Sequence, residues 1–266
     1  MKIGFLGGGN MGGALMQGIL KAQSPMFEAV MAYDPSPASR ARLDKMGVKT
    51  MDSARAMCIE CDMIVLAVKP QILEAAIRPC QSVLGGKFIV SIAAGWTIER
   101  LKSKLPTNIH LLRVMPNTPA LVGCGMTALC ETDELSDTER AAAEALFGCV
   151  GEYIWLDEHY IDAVTGLSGS GPAYVYMFMD ALALGGVRMG LPRDVAMKLA
   201  AQTVKGAAEM ALSTGAHPDA LRDAVCSPAG TTIEAVRLLE QRGLRPAVMD
   251  AVICCAEKSR DMAAGK

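Results

Sequence analysis

"KIGFLGGGNMGG", residues 2–13, decides the fold. Its first five residues form a short apolar run of the kind that makes a buried strand. Gly7-Gly8-Gly9-Asn10-Met11-Gly12 then fits G-x-G-x-x-G, and from Met11 to Ala22 apolar residues recur at helical spacing. Strand, glycine turn and helix in that order are the context in which this motif cradles a dinucleotide. The first glycine makes the turn, the second admits a pyrophosphate to the backbone, and the third lets helix pack on strand. The helix N-terminus then offers its free N–H groups to the phosphates.

Outward from this unit the pattern repeats. "EAVMAY" (28–33) reads as a second strand, "SPASRARLDKM" (36–46) as an amphipathic helix closed by Gly47, and "VKTM" (48–51) as a third strand. "DMIVLAV" (62–68) and "KFIVSIA" (87–93) are continuous apolar runs, as expected of parallel strands covered on both faces. "NIHLLRVMP" adds another. "SDTERAAAEALFGCV" is a helix with a Ser136–Glu139 capping box, and "EYIWL" is read as the last strand. This alternation predicts an α/β, Rossmann-type doubly wound sheet over residues 1–157.

From residue 158 to 266 the reading is all-helical, with segments near 158–167, 172–189, 192–214, 218–226, 232–242 and 246–263. Gly190-Leu191-Pro192 and Gly215-Ala216-His217-Pro218 punctuate them, Gly ending one helix and Pro opening the next. These helices are rich in Ala, Met and Val. Alone they would expose much apolar surface, which favours oligomerisation. The longest apolar stretch, "GPAYVYMFMDALALGGVRMGLP", contains Asp180 and Arg188, which a membrane span would avoid. It reads as a helix for a core or a subunit interface.

Composition narrows the class. The chain has 266 residues, 51% hydrophobic and 20% charged, with a formal charge of −2 and no basic run. A nucleic-acid partner is not expected. The N-terminus lacks the long apolar run of a signal peptide, and the nine cysteines are read as reduced thiols in the cytoplasm. Cys58 and Cys61 form a C-x-x-C away from a helix start, which disfavours a redox role. His110, His159 and His217 lie far apart and define neither a metal cluster nor a catalytic triad.

The cofactor's identity stays open at this level. Asp34 lies where an acid would bind the adenosine ribose 2′-OH and favour NAD. Pro35 could instead turn it away, leaving Ser36, Arg40 and Arg42 for a 2′-phosphate and NADP. "AVKP" (67–70) and "SIAAGW" (91–96) end the fourth and fifth strands, where open α/β sheets bind ligands. Lys69 is well placed there, and Ala93, Ala94 and Gly95 are small enough to pass a nicotinamide ring. Hydride transfer is the default chemistry of such a site. A 2-hydroxy acid substrate would want a His or Lys acid/base, and no histidine has that setting. A protonated cyclic imine would need only hydride, a polar group near nitrogen and an anchor for any carboxylate. "CSPAGTTIEAV" (226–236) offers an anchor: a Pro/Gly turn, then Thr231 and Glu234 as a capping box opening a helix.

Over nearly its whole length the sequence resembles the pyrroline-5-carboxylate reductases. The resemblance rests on "GFLGGGNMG", "AVKP", "SIAAG", "RVMPNTPALVGCGMT", "VTGLSGSGPAYVY" and "CSPAGTTIEAVRLLE", in that order. It implies reduction of 1-pyrroline-5-carboxylate to L-proline with NADPH or NADH, and a homodimer or higher homo-oligomer. It implies that Leu6, Gly7, Gly8, Gly9, Asn10 and Met11 hold the pyrophosphate, with Ser36 at the adenosine end. Ala67, Val68, Lys69 and Pro70, with Ala93, Ala94 and Gly95, would line the nicotinamide side. Ser227, Gly230, Thr231 and Thr232 would cradle the substrate across a dimer boundary, Thr232 nearest the ring nitrogen. Thr232 and Lys69 are the candidate catalytic residues. The sequence departs from the family at Ala229, where glycine is usual, and Asp34 is not a fixed family feature. Two other readings were weighed. A β-hydroxyacid dehydrogenase would want a lysine on the helix 172–189, which has none; a non-catalytic NADP sensor would want a blocked substrate loop.

Overall fold

The computed structural model describes residues 1–264, so the last two positions of the expected range 158–266 lie outside the described residues. Two compact units emerge from the packing. One comprises Met1–Ser170 together with the chain from Cys254 onward; the other is Gly171–Ile253.

The first unit is an eight-stranded sheet. Its strands are β1 (Lys2–Leu6), β2 (Ala29–Tyr33), β3 (Lys49–Thr50), β4 (Met63–Leu66), β5 (Phe88–Ser91), β6 (His110–Met115), β7 (Gly125–Cys130) and β8 (Gly151–Leu156). The spatial order is β3-β2-β1-β4-β5-β6-β7-β8. Strands β1 to β6 run parallel, β7 is antiparallel to β6, and β8 is parallel to β7. The chain reverses direction across the sheet between β1 and β4, the switch point where such sheets bind ligands. Seven of these strands coincide with the apolar runs of the sequence. The eighth, β7, was not expected, and it adds one antiparallel pairing to the doubly wound sheet.

Helices cover both faces, and strand alternation decides which side chain meets which. Phe5, Val65 and Val90 face α1 (Asn10–Ala22) and, from later in the chain, the helix Asp137–Gly148, through Leu15, Met16 and Phe147. Leu6, Ile64, Leu66 and Ile89 face α3 (Ala54–Glu60), α4 (Leu73–Ile77) and α5 (Ile98–Lys102). The remaining early helix, α2 (Pro37–Lys45), follows β2 and buries Leu43. The helix Asp137–Gly148, α6, opens on the expected capping box: Ser136 and Glu139 bond each other's backbone N–H. Burying each large core side chain contributes about 1.5–3 kcal/mol.

The segment expected as one helix over 158–167 is three pieces: a 3₁₀ turn at Glu158–Tyr160, α7 (Ile161–Val164), and a π turn at Thr165–Gly169. Gly166 and Gly169 fall in this π turn, and a Cβ on Gly169 would press 2.8 Å from Met115 Cε.

The second unit holds α8 (Gly171–Arg188), α9 (Arg193–Thr214), α10 (Pro218–Ala224) and α11 (Thr231–Gln241); α12 (Leu244–Ala263) begins in it and ends in the first. Helices α8 and α9 form a hairpin around Ala183, Ala196 and Ala200, small residues that let helices approach closely. The long apolar helix is thus not buried within its own chain: Val175, Met177 and Leu184 of α8 are exposed. Among the described residues, no helix is long and apolar enough to cross a membrane.

Candidate active site

The glycine loop between β1 and α1 is the centre of the first unit's site. Gly7 has φ +109°, and a Cβ there would lie 2.6 Å from the Ala67 carbonyl oxygen, so only glycine fits. A Cβ on Gly12 would meet Gly7 O at 2.7 Å and Ala67 Cβ at 3.1 Å; its absence lets α1 lie against the loop. Gly9 differs: a Cβ there would meet nothing within 4 Å. That open side is where a ligand's phosphates would approach. Gly9 is the N-cap of α1 and no side chain caps the helix, so its first-turn N–H groups lack intrahelical partners. An uncapped 13-residue helix aimed at open space fits a pyrophosphate.

Two cavities flank the loop. The first, of 370 Å³, is apolar and lies beside Leu6, Tyr33, Pro35, Ser53 and Val68, a shape and chemistry suited to an adenine. The second, of 460 Å³, opens at the ends of β4, β5 and β6 beside Asn10, Met11, Lys69, Ala94 and Pro116. A dinucleotide laid across the glycine loop would span both. The residues thus fit an NADP-type cofactor.

The ends of β4 and β5 are tied together: Trp96 Nε1 donates to Pro70 O at 3.1 Å, and the Arg100 guanidinium stacks 4.0 Å from the Trp96 ring centroid. Ala67, Val68, Lys69 and Ala94 line the second cavity, with Lys69 exposed. Ala93 does not: it is 3% exposed and belongs to the core with Leu66 and Trp96. Pro70, Ala94 and Gly95 edge a smaller neighbouring cleft.

At the adenosine end, Asp34 is not turned away by Pro35. Its Oδ2 accepts from Gly8 N–H at 2.8 Å and its Oδ1 from Ser36 N–H at 2.9 Å. The Ser36 hydroxyl caps α2 through Ser39 N–H. Arg40 donates to the carbonyls of Asp34 and Pro35, and Arg42 to that of Gly8.

Two side chains brace this framework and were not assigned that role from sequence. Asn117, buried, accepts from Met126 N–H at 2.9 Å and donates to Ser168 O at 3.0 Å, pinning the π turn to β7. Arg113, 5% exposed in an otherwise apolar strand, donates to Glu158 Oε1 at 2.7 Å, which also accepts from Ile98 N–H. The arginine amid "HLLRVM" was the available signal, since a buried charge requires a partner.

The remaining residues lie in the second unit. Gly230 N–H donates to Ser227 O at 3.0 Å, closing a tight turn, and Ala229 has φ +56°. Gly230, not Thr231, is the N-cap of α11, and it supplies no side-chain cap. The expected Thr231–Glu234 capping box is therefore absent: Glu234 instead pairs with Arg237 at 3.0 Å. Both Gly and Thr are good N-caps, and the glycine, one residue earlier, takes the place. Thr231 and Thr232 thus become the first two residues of an 11-residue helix whose leading N–H groups carry no side-chain cap.

A doubly wound sheet, a strand–GxGxxG–helix unit at its switch point and a cavity at each side of the loop define a nicotinamide-dinucleotide oxidoreductase. Residues 158–262 match the pyrroline-5-carboxylate reductase dimerisation family, and residues 2–95 the family described as NADP oxidoreductase, coenzyme F420-dependent. The pyrroline-5-carboxylate reductase of Escherichia coli (strain K12) is 44% identical over 98% of both chains. That of Arabidopsis thaliana is 39% identical over 98% of this chain and 95% of its own. The crystal structure of a Plasmodium falciparum pyrroline carboxylate reductase with NADP bound superposes with a TM-score of 0.88. It is 33% identical, covering 99% of this chain and 98% of that one. The chain belongs to the pyrroline-5-carboxylate reductase family.

Proposed function

We propose that this protein reduces 1-pyrroline-5-carboxylate to L-proline, the last step of proline biosynthesis, as a cytoplasmic homodimer or higher homo-oligomer using NADP, with NAD as the alternative. The observation that carries the substrate reading is the uncapped start of α11 at Gly230–Thr232. A helix start without a cap offers N–H donors to an anion, and this substrate brings a carboxylate. Ser227, Gly230, Thr231 and Thr232 are proposed to hold it, with the Thr232 hydroxyl beside the ring nitrogen.

Bound dihydronicotinamide supplies a hydride to the imine carbon. The chain's own part is positional. Leu6 to Met11 hold the pyrophosphate; Ala67 to Pro70 and Ala93 to Gly95 are proposed to position the nicotinamide, Ala93 acting through the backbone because its side chain is buried. An imine that arrives protonated at nitrogen leaves as the amine once carbon has gained the hydride, so no side chain need donate a proton to nitrogen at that step. Residues 1–157 are assigned to the dinucleotide and 158–266 to dimerisation and substrate.

The test is oxidation of NADPH by purified protein with and without the imine. Oxidation that depends on the imine and yields proline is expected; none with either cofactor would overturn the assignment.

A further inference from the structure

The 460 Å³ cavity at the ends of β4, β5 and β6 opens where a strand pairing stops. Strands β5 and β6 pair from Phe88 and His110 as far as Ser91 and Arg113. Past Arg113, β6 pairs with β7 through Val114 and Met115, while the chain after β5 leaves the sheet toward α5. Ile92 and Ala94 line one wall of the opening, and Met115 and Pro116 line the other. The ladder therefore ends before the width of the opening is set.

Glu158 spans this parting. Its Oε1 accepts from Ile98 N–H at 2.7 Å and from Arg113 Nη1 at 2.7 Å. Ile98 ends the turn that carries Ala94 and Gly95, and Arg113 lies two residues before Met115. Both bonds are held firmly. Thr97 caps α5 through Arg100 N–H, so the Ile98 N–H, the first of that helix, needs another acceptor. Arg113 is buried, and a buried charge without a partner is costly, so the guanidinium keeps the carboxylate in place. Ile98 and Met115 also pack against one small apolar cluster, Ala128, Cys130 and Ile161. Apolar contact is non-directional; the two charge-assisted bonds fix the geometry.

We propose that Glu158 is a positioning residue for hydride transfer: it sets the separation of the two walls that receive the nicotinamide. This rests on the reductase reading above. Glu158 does not line the cavity, and it acts through Ile98 and Arg113.

The experiment compares wild type with Glu158→Ala, Glu158→Gln, Ile98→Pro and Ile98→Ala. Proline at a first helical position keeps the helix and removes the N–H. Thr97, at φ −73° and ψ 160°, already has the conformation that proline requires before it. Ile98→Ala controls for the lost side chain. The readouts are kcat and KM for NADPH in imine-dependent oxidation, calorimetric affinity for 2′,5′-ADP, emission of bound NADPH, and thermal unfolding. Glu158→Ala and Ile98→Pro are expected to lower kcat about tenfold or more, through misplacement of the ring. Their affinity for 2′,5′-ADP should hold, because the adenosine cavity shares neither wall. Glu158→Gln keeps an acceptor oxygen and should recover most of kcat; Ile98→Ala should retain it. An unchanged kcat in Glu158→Ala below its unfolding temperature would overturn the proposal, as would equal loss of kcat and 2′,5′-ADP affinity. Should Glu158→Ala fail to fold, Ile98→Pro against Ile98→Ala decides. Emission of the bound dihydronicotinamide reports its surroundings without turnover and is expected to fall toward the free value in Glu158→Ala. Failure of the reductase reading is thus distinct: wild type oxidises no cofactor, yet the emission still shifts, whereas unshifted emission counts against Glu158 itself.

Discussion

Thr232, second residue of α11, is half-buried while Thr231 before it is exposed. Replacing Thr232 by Ala removes one hydroxyl and leaves the helix N–H groups in place. Turnover or substrate affinity is expected to fall about ten- to a hundredfold, the worth of one hydrogen bond to a charged group, with cofactor affinity unchanged. Steady-state kinetics beside a cofactor titration check this, and equal loss of both would mean misfolding. The glycines separate in the same way. Gly9→Ala adds a methyl to open space, so stability should hold while cofactor affinity drops about tenfold or more through loss of close phosphate approach. Gly12→Ala drives a methyl into Gly7 O and should cost about 2 kcal/mol or more of stability, read by denaturant unfolding. The sequence motif gave Gly7, Gly9 and Gly12 separate roles: turn, phosphate approach and helix packing. The space around each agrees: it is open at Gly9 and filled at Gly7 and Gly12. Asp34 was legible as a residue and not as a geometry, because Pro35 left two directions open and the Gly8 N–H chose between them.

Among the elements, α6 was read to its first residue, since the capping box fixes a helix start through two reciprocal bonds. Burial raises the Glu139 carboxyl, but bonds from Ser136 and His110 outweigh it and hold the group below its usual range. A depressed carboxylate stabilises the fold above its unfolded pKa, and that contribution is lost as pH falls through the folded value. Glu139→Ala should therefore cost about 1 kcal/mol near neutral pH, and the gap to wild type should close below about pH 4, followed by urea unfolding across pH. Strand β7 escaped the sequence reading for a contrary reason. "GMTALC" follows a Pro- and Gly-rich turn and carries Thr127 in a fully buried position, so neither alternation nor a continuous apolar run announced it. The same lack of a strong local rule blurred 158–170, where helical periodicity was visible but the 3₁₀ and π turns follow from the tertiary bonds of Asn117 and Glu158.

At the scale of the molecule, the unit Gly171–Ile253 has a core of three alanines among the described residues, while Met177, Met189 and Leu212 stand at 75%, 84% and 82% exposure. Such a surface requires a second copy, as the match to a dimerisation family agrees. Met177→Glu with Leu184→Glu, one helical face of α8, should weaken association at least about a hundredfold, since each loses about 1.5–3 kcal/mol of burial. Sedimentation at several concentrations checks it; an unaltered oligomer would exclude that face. The cysteines obey the same division between inside and outside: burial pushes the Cys61 thiol up to about 11 and the Cys130 thiol up to about 12, whereas Cys124 and Cys254 are exposed. One last feature concerns time more than space. The first unit is discontinuous in sequence, because the end of α12 returns to it through Ser259 to Asp162 and Cys255 to Ser170. During synthesis the sheet's own strands emerge early, but its closing helix leaves the ribosome only after all of Gly171–Ile253, so this unit cannot be completed until the other has been made.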